Sequence, residues 1–131
     1  MIVANKKPNF VDDRGEITDI IENVSVNSIT VLTTTKGSVR ANHYHKETTQ
    51  FTYILNGSCN YYAQAPDDEK QIKKVVKGDL VVSPPMESHA FEALEDSVLL
   101  AFCQGPRMGS EYETDTFRLD VPLCQPTKQA A

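Results

Sequence analysis

Tryptophan is absent from the 131 residues, only three cysteines and six glycines occur, and the basic residues are outnumbered, 13 Lys plus Arg against 18 Asp plus Glu. Each shortage excludes something. With the bulkiest core residue missing and apolar residues at 40%, the chain can bury one modest core but not two, so a single domain is expected over 1–131. A formal charge of −5 repels a phosphate backbone, which argues against nucleic acid as a partner. A membrane-spanning helix needs roughly 20 apolar residues, and the longest wholly apolar run, residues 98–103, falls far short of that. Lys6 and Lys7 follow the apolar start of the chain instead of preceding it, the reverse of a signal peptide. Cys59, Cys103 and Cys124 have no zinc-finger spacing, so the expectation is a cytoplasmic protein with reduced thiols.

What the chain does have is strand chemistry. Residues 28–35 are dominated by β-branched side chains, and 50–55 follow a similar rule. Asn56-Gly57 between two such runs predicts a hairpin, because both residues tolerate positive φ. Further turn signals at Lys36-Gly37, 65–68, 77–79, Pro84-Pro85 and Glu95-Asp96 space the apolar runs as in an all-β sandwich or barrel. Strands are expected over 16–22, 28–35, 38–45, 50–56, 58–65, 70–77, 80–83, 88–94, 97–103 and 115–120, with a turn or two of helix after Gly109 at most. The first few residues and the tail 126–131 read as loose ends.

Two of the chain's three histidines stand two apart, in Arg40-Ala41-Asn42-His43-Tyr44-His45. Strand residues two apart share a face, so Val39, Ala41, His43 and His45 are expected together on the inside. Gln50 opens the next strand and His89 lies on a later one. Polar groups converging inside a small barrel need partners, and that convergence suggests a site. Three imidazoles and an amide oxygen suit a divalent metal, whether Fe, Mn, Ni, Zn or Cu, although wholly neutral ligands leave its charge uncompensated. The same imidazoles, with an ordinary pKa of about 6.5, suit proton transfer without a metal. The plain alternative is a set of satisfied core histidines. Arg40 is either a surface charge or an anion-gripping guanidinium. Tyr53 and Tyr61 are either strand packing or platforms for a sugar or base.

Gly37, five residues, His43-x-His45, four residues, Gln50, six residues and Gly57 resemble the first cupin motif, with Gln in place of the usual Glu. Gly78, five residues, Pro84 and then His89 resemble the second, with Met86 where Gly is usual and Ala93 where Asn is usual. Asp13-Arg14-Gly15, Arg40-x-x-His43-x-His45-Lys46-x-x-x-Gln50, Asn56-Gly57-Ser58-Cys59 and Pro84-x-Met86-x-x-His89 narrow the resemblance to the nucleotide-sugar 3,4-ketoisomerases. The rhamnose-pathway 3,5-epimerases are a more distant match. Ala41 replaces the Gly that usually follows the Arg. The likeness spans about residues 10–120.

The resemblance implies a single-domain cupin, a jelly-roll barrel or double-stranded β-helix, with its core over 28–104. It implies a sugar-modifying isomerase or epimerase that moves protons next to a carbonyl on a nucleotide-linked keto sugar. In that activity His45 and His89 would be base and acid, in either order, and His43 and Gln50 would orient them. Arg40 would stabilise negative charge, Tyr53 and Tyr61 would contact substrate, and no cofactor would be required. The rival readings are a metal-dependent cupin held by His43, His45, Gln50 and His89, and a non-catalytic sugar-binding cupin. A homodimer paired through sheet edges is also expected, since an N-terminal strand over 16–22 has an edge to cover.

Overall fold

Buried and solvent-facing residues alternate along the longer strands, as sequence patterning requires. Gln50, Thr52 and Ile54 point inward from one strand, and Leu99, Ala101 and Cys103 from another. The computed structural model describes residues 1–106 and 114–126. Among them are twelve strands: β1 Ile2–Asn5, β2 Phe10–Asp12, β3 Gly15–Ile17, β4 Ser28–Thr34, β5 Val39–Tyr44, β6 Thr49–Asn56, β7 Ser58–Gln64, β8 Gln71–Val76, β9 Asp79–Ser83, β10 Ser88–Ala93, β11 Ser97–Gln104 and β12 Phe117–Arg118. Two five-stranded antiparallel sheets, ordered β1-β9-β6-β11-β4 and β12-β5-β10-β7-β8, face one another, and β2 pairs with β3 in a small ribbon. Ile54, Cys59, Tyr61, Val75, Val81, Phe91 and Leu99 fill the space between the sheets. The fold is the expected all-β jelly roll. Among the described residues no helix is long and apolar enough to cross a membrane. All three cysteines are buried free thiols.

Four local expectations need correction. Asn56-Gly57 does not make a hairpin: β6 pairs with β9 and β11, whereas β7 pairs with β8 and β10 in the other sheet. The dipeptide is instead a corner at which the chain changes sheets. Gly57, at φ +92°, packs so tightly there that a Cβ would collide with Ser97, backbone included. The expected strand over 16–22 is only Gly15–Ile17, paired with β2; the following Ile20, Ile21, Val24 and Val26 line a hollow beside Ile29 and Phe102. The start of the chain is not loose, because β1 pairs with β9 along Ile2–Asn5. The strand over 115–120 shrinks to Phe117–Arg118, preceded by a single 3₁₀ turn at Thr114 and Asp115. The region just after Gly109 lies outside the described residues.

The fifth correction shapes the site. β5 does not alternate strictly, because Ala41 (φ +76°) and Asn42 (φ +58°) are both left-handed. His43 pairs with His89, Ala41 with Ala90 and Arg40 with Phe91, so Asn42 is the extra residue of a β-bulge. Val39 therefore faces away from the core, while Arg40 and His43 share the inner face.

A left-handed conformation costs an L-residue about 1–2 kcal/mol, and Gly gives back about 0.4–1 kcal/mol of that through its freer unfolded chain. Ala41 and Met86 (φ +71°) both carry this strain at positions where cupin motifs commonly hold Gly. Ala41→Gly and Met86→Gly should each stabilise the protein by about 0.5–1 kcal/mol in denaturant titrations. Destabilisation by both would show that these side chains gain more from packing than they lose to strain.

Candidate active site

The bulge in β5, the register of β10 and the turn between β5 and β6 together place three imidazoles around one point. The ring centroids of His43 and His45 are 4.8 Å apart, those of His43 and His89 4.8 Å, and those of His45 and His89 5.3 Å. One ring nitrogen from each lies within 4.8 Å of the others. His45 and His89 are fully buried, and His43 is half-buried. A cavity of about 70 Å³ opens beside them, lined by Arg40, His43, Gln50, Leu32, Phe91 and Leu99. A larger hollow of about 370 Å³, against Tyr44, Pro66 and Met86, holds none of these groups.

Hydrogen bonding fixes how His45 presents itself. Its Nδ1 donates to the Asp115 backbone carbonyl at 2.7 Å; a carbonyl can only accept, so the proton is on Nδ1 and the Nε2 lone pair points toward Gln50. Gln50 Oε1 lies 3.3 Å from that Nε2, while the Gln50 amide nitrogen donates to Thr52 Oγ1 at 3.0 Å. Two acceptors then face each other. The conflict resolves if the Gln50 amide turns over, if Nε2 takes up a proton, or if a cation sits between them. His89 Nδ1 makes a longer contact, 3.4 Å, to the Glu87 carbonyl.

Asp115 is the site residue that sequence reading missed. Its carboxylate accepts the backbone N–H groups of Lys46, Glu47 and Thr48 at 2.8–3.0 Å, closing the turn that separates His45 from Gln50. Burial alone would raise its pKa, but the Thr48 hydroxyl and those three N–H groups prevail and hold it below the ordinary carboxylate value. Asp115 lies 70 positions from His45, too far apart for any spacing rule to link them.

Arg40 sits at the cavity mouth. Its Nη2 donates to the Thr33 carbonyl at 2.7 Å and its Nε to Thr34 Oγ1 at 3.1 Å, so the guanidinium reaches across from β5 to β4. Two of its five donors are used there. The two tyrosines do not join the site as stacking platforms. Tyr53 pairs with Leu80 and Leu100 on the outer face of the first sheet, pointing away from the histidines. Tyr61 does face inward, but it is wholly enclosed in the core and its hydroxyl bonds Ser83 at 2.8 Å. Burial, more than any other influence, pushes that phenol's pKa up, so it stays protonated. The structure thus gathers His43, His45, His89, Gln50 and Arg40, and leaves Tyr53 out.

A family described as the polysaccharide biosynthesis C-terminal domain matches residues 10–117. The chain belongs to that family. An oxalate decarboxylase from Arthroderma benhamiae is 36% identical over 73 residues, which cover 54% of this chain and 17% of that protein. The chain therefore spans a fifth or less of the curated relatives it matches. Among solved structures, a double mutant of the QdtA 3,4-ketoisomerase from Thermoanaerobacterium thermosaccharolyticum in complex with TDP aligns with TM-score 0.74 and 25% identity, over 90% of this chain and 86% of its own. The dTDP-4-dehydrorhamnose 3,5-epimerase from Sulfolobus tokodaii aligns with TM-score 0.69 and 21% identity, over 82% and 70% respectively. The two enzymes share this chain's jelly roll.

Because Asp115 has a lowered folded pKa, its stabilising contribution is complete above the unfolded value of about 3.9 and disappears as pH falls through the folded value. Melting temperature measured from pH 7 down to pH 2 should fall along this limb. Asp115→Asn should be less stable at pH 7 and show a flatter acid limb. An unchanged limb in the variant would assign the acid sensitivity to other carboxylates.

Proposed function

We propose that the chain is a sugar-modifying enzyme of the isomerase or epimerase type, moving protons beside the carbonyl of a nucleotide-linked keto sugar. The observation that carries this reading is the clustering of three imidazoles within 4.8 Å of one another, one of which, His43, lines with Arg40 and Gln50 a cavity that has no nucleophile and no carboxylate in its wall. The likeness to a ketoisomerase that binds TDP supports the nucleotide-linked substrate. Neutral imidazole suits the task because its pKa lies near the working pH. His45, with its Nδ1–H anchored and its Nε2 lone pair aimed inward, is the base in this reading; His89 is the acid.

A ketone acidifies the adjacent C–H. His45 takes that proton, the C–H electron pair moves into an enediolate, and the charge on oxygen is stabilised by the Arg40 guanidinium. A proton from His89 to the former carbonyl carbon, with the hydroxyl proton of the original carbon passing to the former carbonyl oxygen, moves the ketone along the ring; a proton returned to the original carbon from the opposite face, with the carbonyl re-formed in place, inverts it. No electrons are gained or lost overall, so the reaction needs no redox partner. Solvent-deuterium incorporation into TDP-4-keto-6-deoxyglucose, followed by mass spectrometry, tests this. His89→Asn should slow incorporation by roughly 100-fold or more while melting within a few degrees of the parent. An unchanged rate in a folded variant would remove His89 from the mechanism.

The two acceptors facing each other at 3.3 Å favour a second reading, a divalent metal held by His43, His45, His89 and Gln50. Bound there, the ion would polarise a carbonyl oxygen. Gln50→Glu distinguishes the two readings by adding the negative charge that a cation lacks in this shell. On the metal reading, titration should show tighter binding by about tenfold or more. On the proton-transfer reading, neither form retains stoichiometric metal and the variant loses exchange activity.

A further inference from the structure

One edge of the second sheet is β8, which pairs with β7 alone among the described residues. Four of the chain's 13 basic residues, Lys70, Lys73, Lys74 and Lys77, stand on or beside it, in a protein of net charge −5. Lys70 Nζ donates to the Leu123 carbonyl at 3.0 Å, which ties down the segment after β12 where Leu123 and Cys124 lie buried across the outer face of this sheet. Lys73, Lys74 and Lys77 are exposed and make no ion pair among the described residues. Lys73 and Lys74, being adjacent, point to opposite faces, so positive charge flanks the edge on both sides. On the outer face Lys74 stands between Ile72 and Val76, which are 56% and 41% exposed.

The backbone of this edge is open at defined places. Val76 turns its N–H away from β7, to Asp79 Oδ2 at 2.9 Å. Ser58, opposite Val76, gives its own N–H to Ser97 Oγ at 3.1 Å, and its carbonyl accepts from Leu94 at 3.0 Å. Bonded and non-bonded pairs alternate along an antiparallel ladder, so Lys74 and Ile72 also direct their N–H and C=O groups away from β7, toward the open edge.

Lysine on an edge strand can serve only to prevent self-pairing. That reading would extend to every edge, yet the edge strands β1 and β4 of the first sheet hold no charged residue. Guarding also leaves the exposed apolar pair around Lys74 without a purpose. We propose that β8 takes up an extended, acidic segment of a partner protein as an added antiparallel strand. Main-chain bonds to Ile72 and Lys74 supply attachment, and side chains supply choice. The segment is apolar opposite Ile72 and Val76 and acidic opposite Lys73, Lys74 and Lys77. The acidic turn Asp67-Asp68-Glu69 at the other end of β8 confines that negative charge to the Lys77 end. A second copy does not fit through its own β8, because pairing the two edges sets lysines against lysines. The docking is independent of the proposed chemistry, since β8 contributes no residue to the histidine cluster or its cavity.

The probe is the peptide acetyl-Glu-Val-Thr-Glu-Glu-Val-Ser-amide, whose antiparallel register sets valines opposite Val76 and Ile72 and glutamates opposite Lys77, Lys74 and Lys73. Titrated into the nitrogen-15-labelled intact chain at about 0.15 M salt, it should bind with a Kd below about 1 mM. At saturation, solvent exchange of the Ile72 and Lys74 amides should slow by about tenfold or more. Lys73→Glu with Lys74→Glu should weaken binding by about tenfold or more in a folded protein. Lys7→Glu with Lys36→Glu, the same charge change at exposed positions elsewhere, should leave Kd within about twofold. Ile72→Pro deletes one outward N–H without touching the β7 ladder, and should weaken binding by about tenfold. If that variant does not fold, amide exchange in the parent chain decides the same point. No binding at millimolar peptide, binding without protection of the two amides, equal binding of a thymidine oligonucleotide, or equal losses in the two lysine pairs overturns the proposal.

Discussion

The β-bulge at Ala41 and Asn42 is the constraint on which most of the rest depends. Without it β5 would alternate, and Arg40 and His43, three positions apart, would face opposite sides of the sheet. One extra residue brings both inward, opposite Phe91 and His89. The same residue ties down the end of the chain: Asn42 Oδ1 accepts the backbone N–H of Leu123 at 2.9 Å, and the Asn42 carbonyl accepts that of Leu119 at 3.0 Å. Between those anchors and β5, β12 runs alongside Tyr44 and His43, which carries Asp115 to the turn that holds His45. A strained pair of residues thus couples the position of Arg40, the orientation of His45 and the cover of the second sheet.

The chemistry of the site follows from its neutrality. Four of its five central groups carry no formal charge when the imidazoles are unprotonated, and the fifth is a guanidinium with two of its five donors engaged by β4. Such a pocket attracts an anion or a developing enediolate more readily than a cation. An added carboxylate at Gln50 would reverse that preference, so one amide is the point at which the two readings of the site separate.

Much of this was legible in the sequence, for a physical reason. His43, His45, Gln50 and His89 sit between turn-forming residues that set strand lengths, and those lengths survive in the structure to within a residue or two. The bulge was not legible, because Ala41 and Asn42 carry none of the glycine that announces positive φ. The Asn56-Gly57 signal was real but ambiguous: the dipeptide bends the chain, and only long-range pairing decides whether the next strand returns along the first or crosses to the other sheet. Asp115 and the outward turn of Tyr53 depend on contacts between distant strands, which no local pattern encodes.

The Asp115 carbonyl holds the proton of His45 on Nδ1 and leaves Nε2, beside Gln50, as the basic atom. Nitrogen-15 NMR of histidine-labelled protein at neutral pH reads this directly through the long-range couplings of each imidazole. His45 should show a protonated Nδ1, protected from solvent exchange, and an unprotonated Nε2. A His45 signal with the proton on Nε2 and a bare Nδ1 would contradict it.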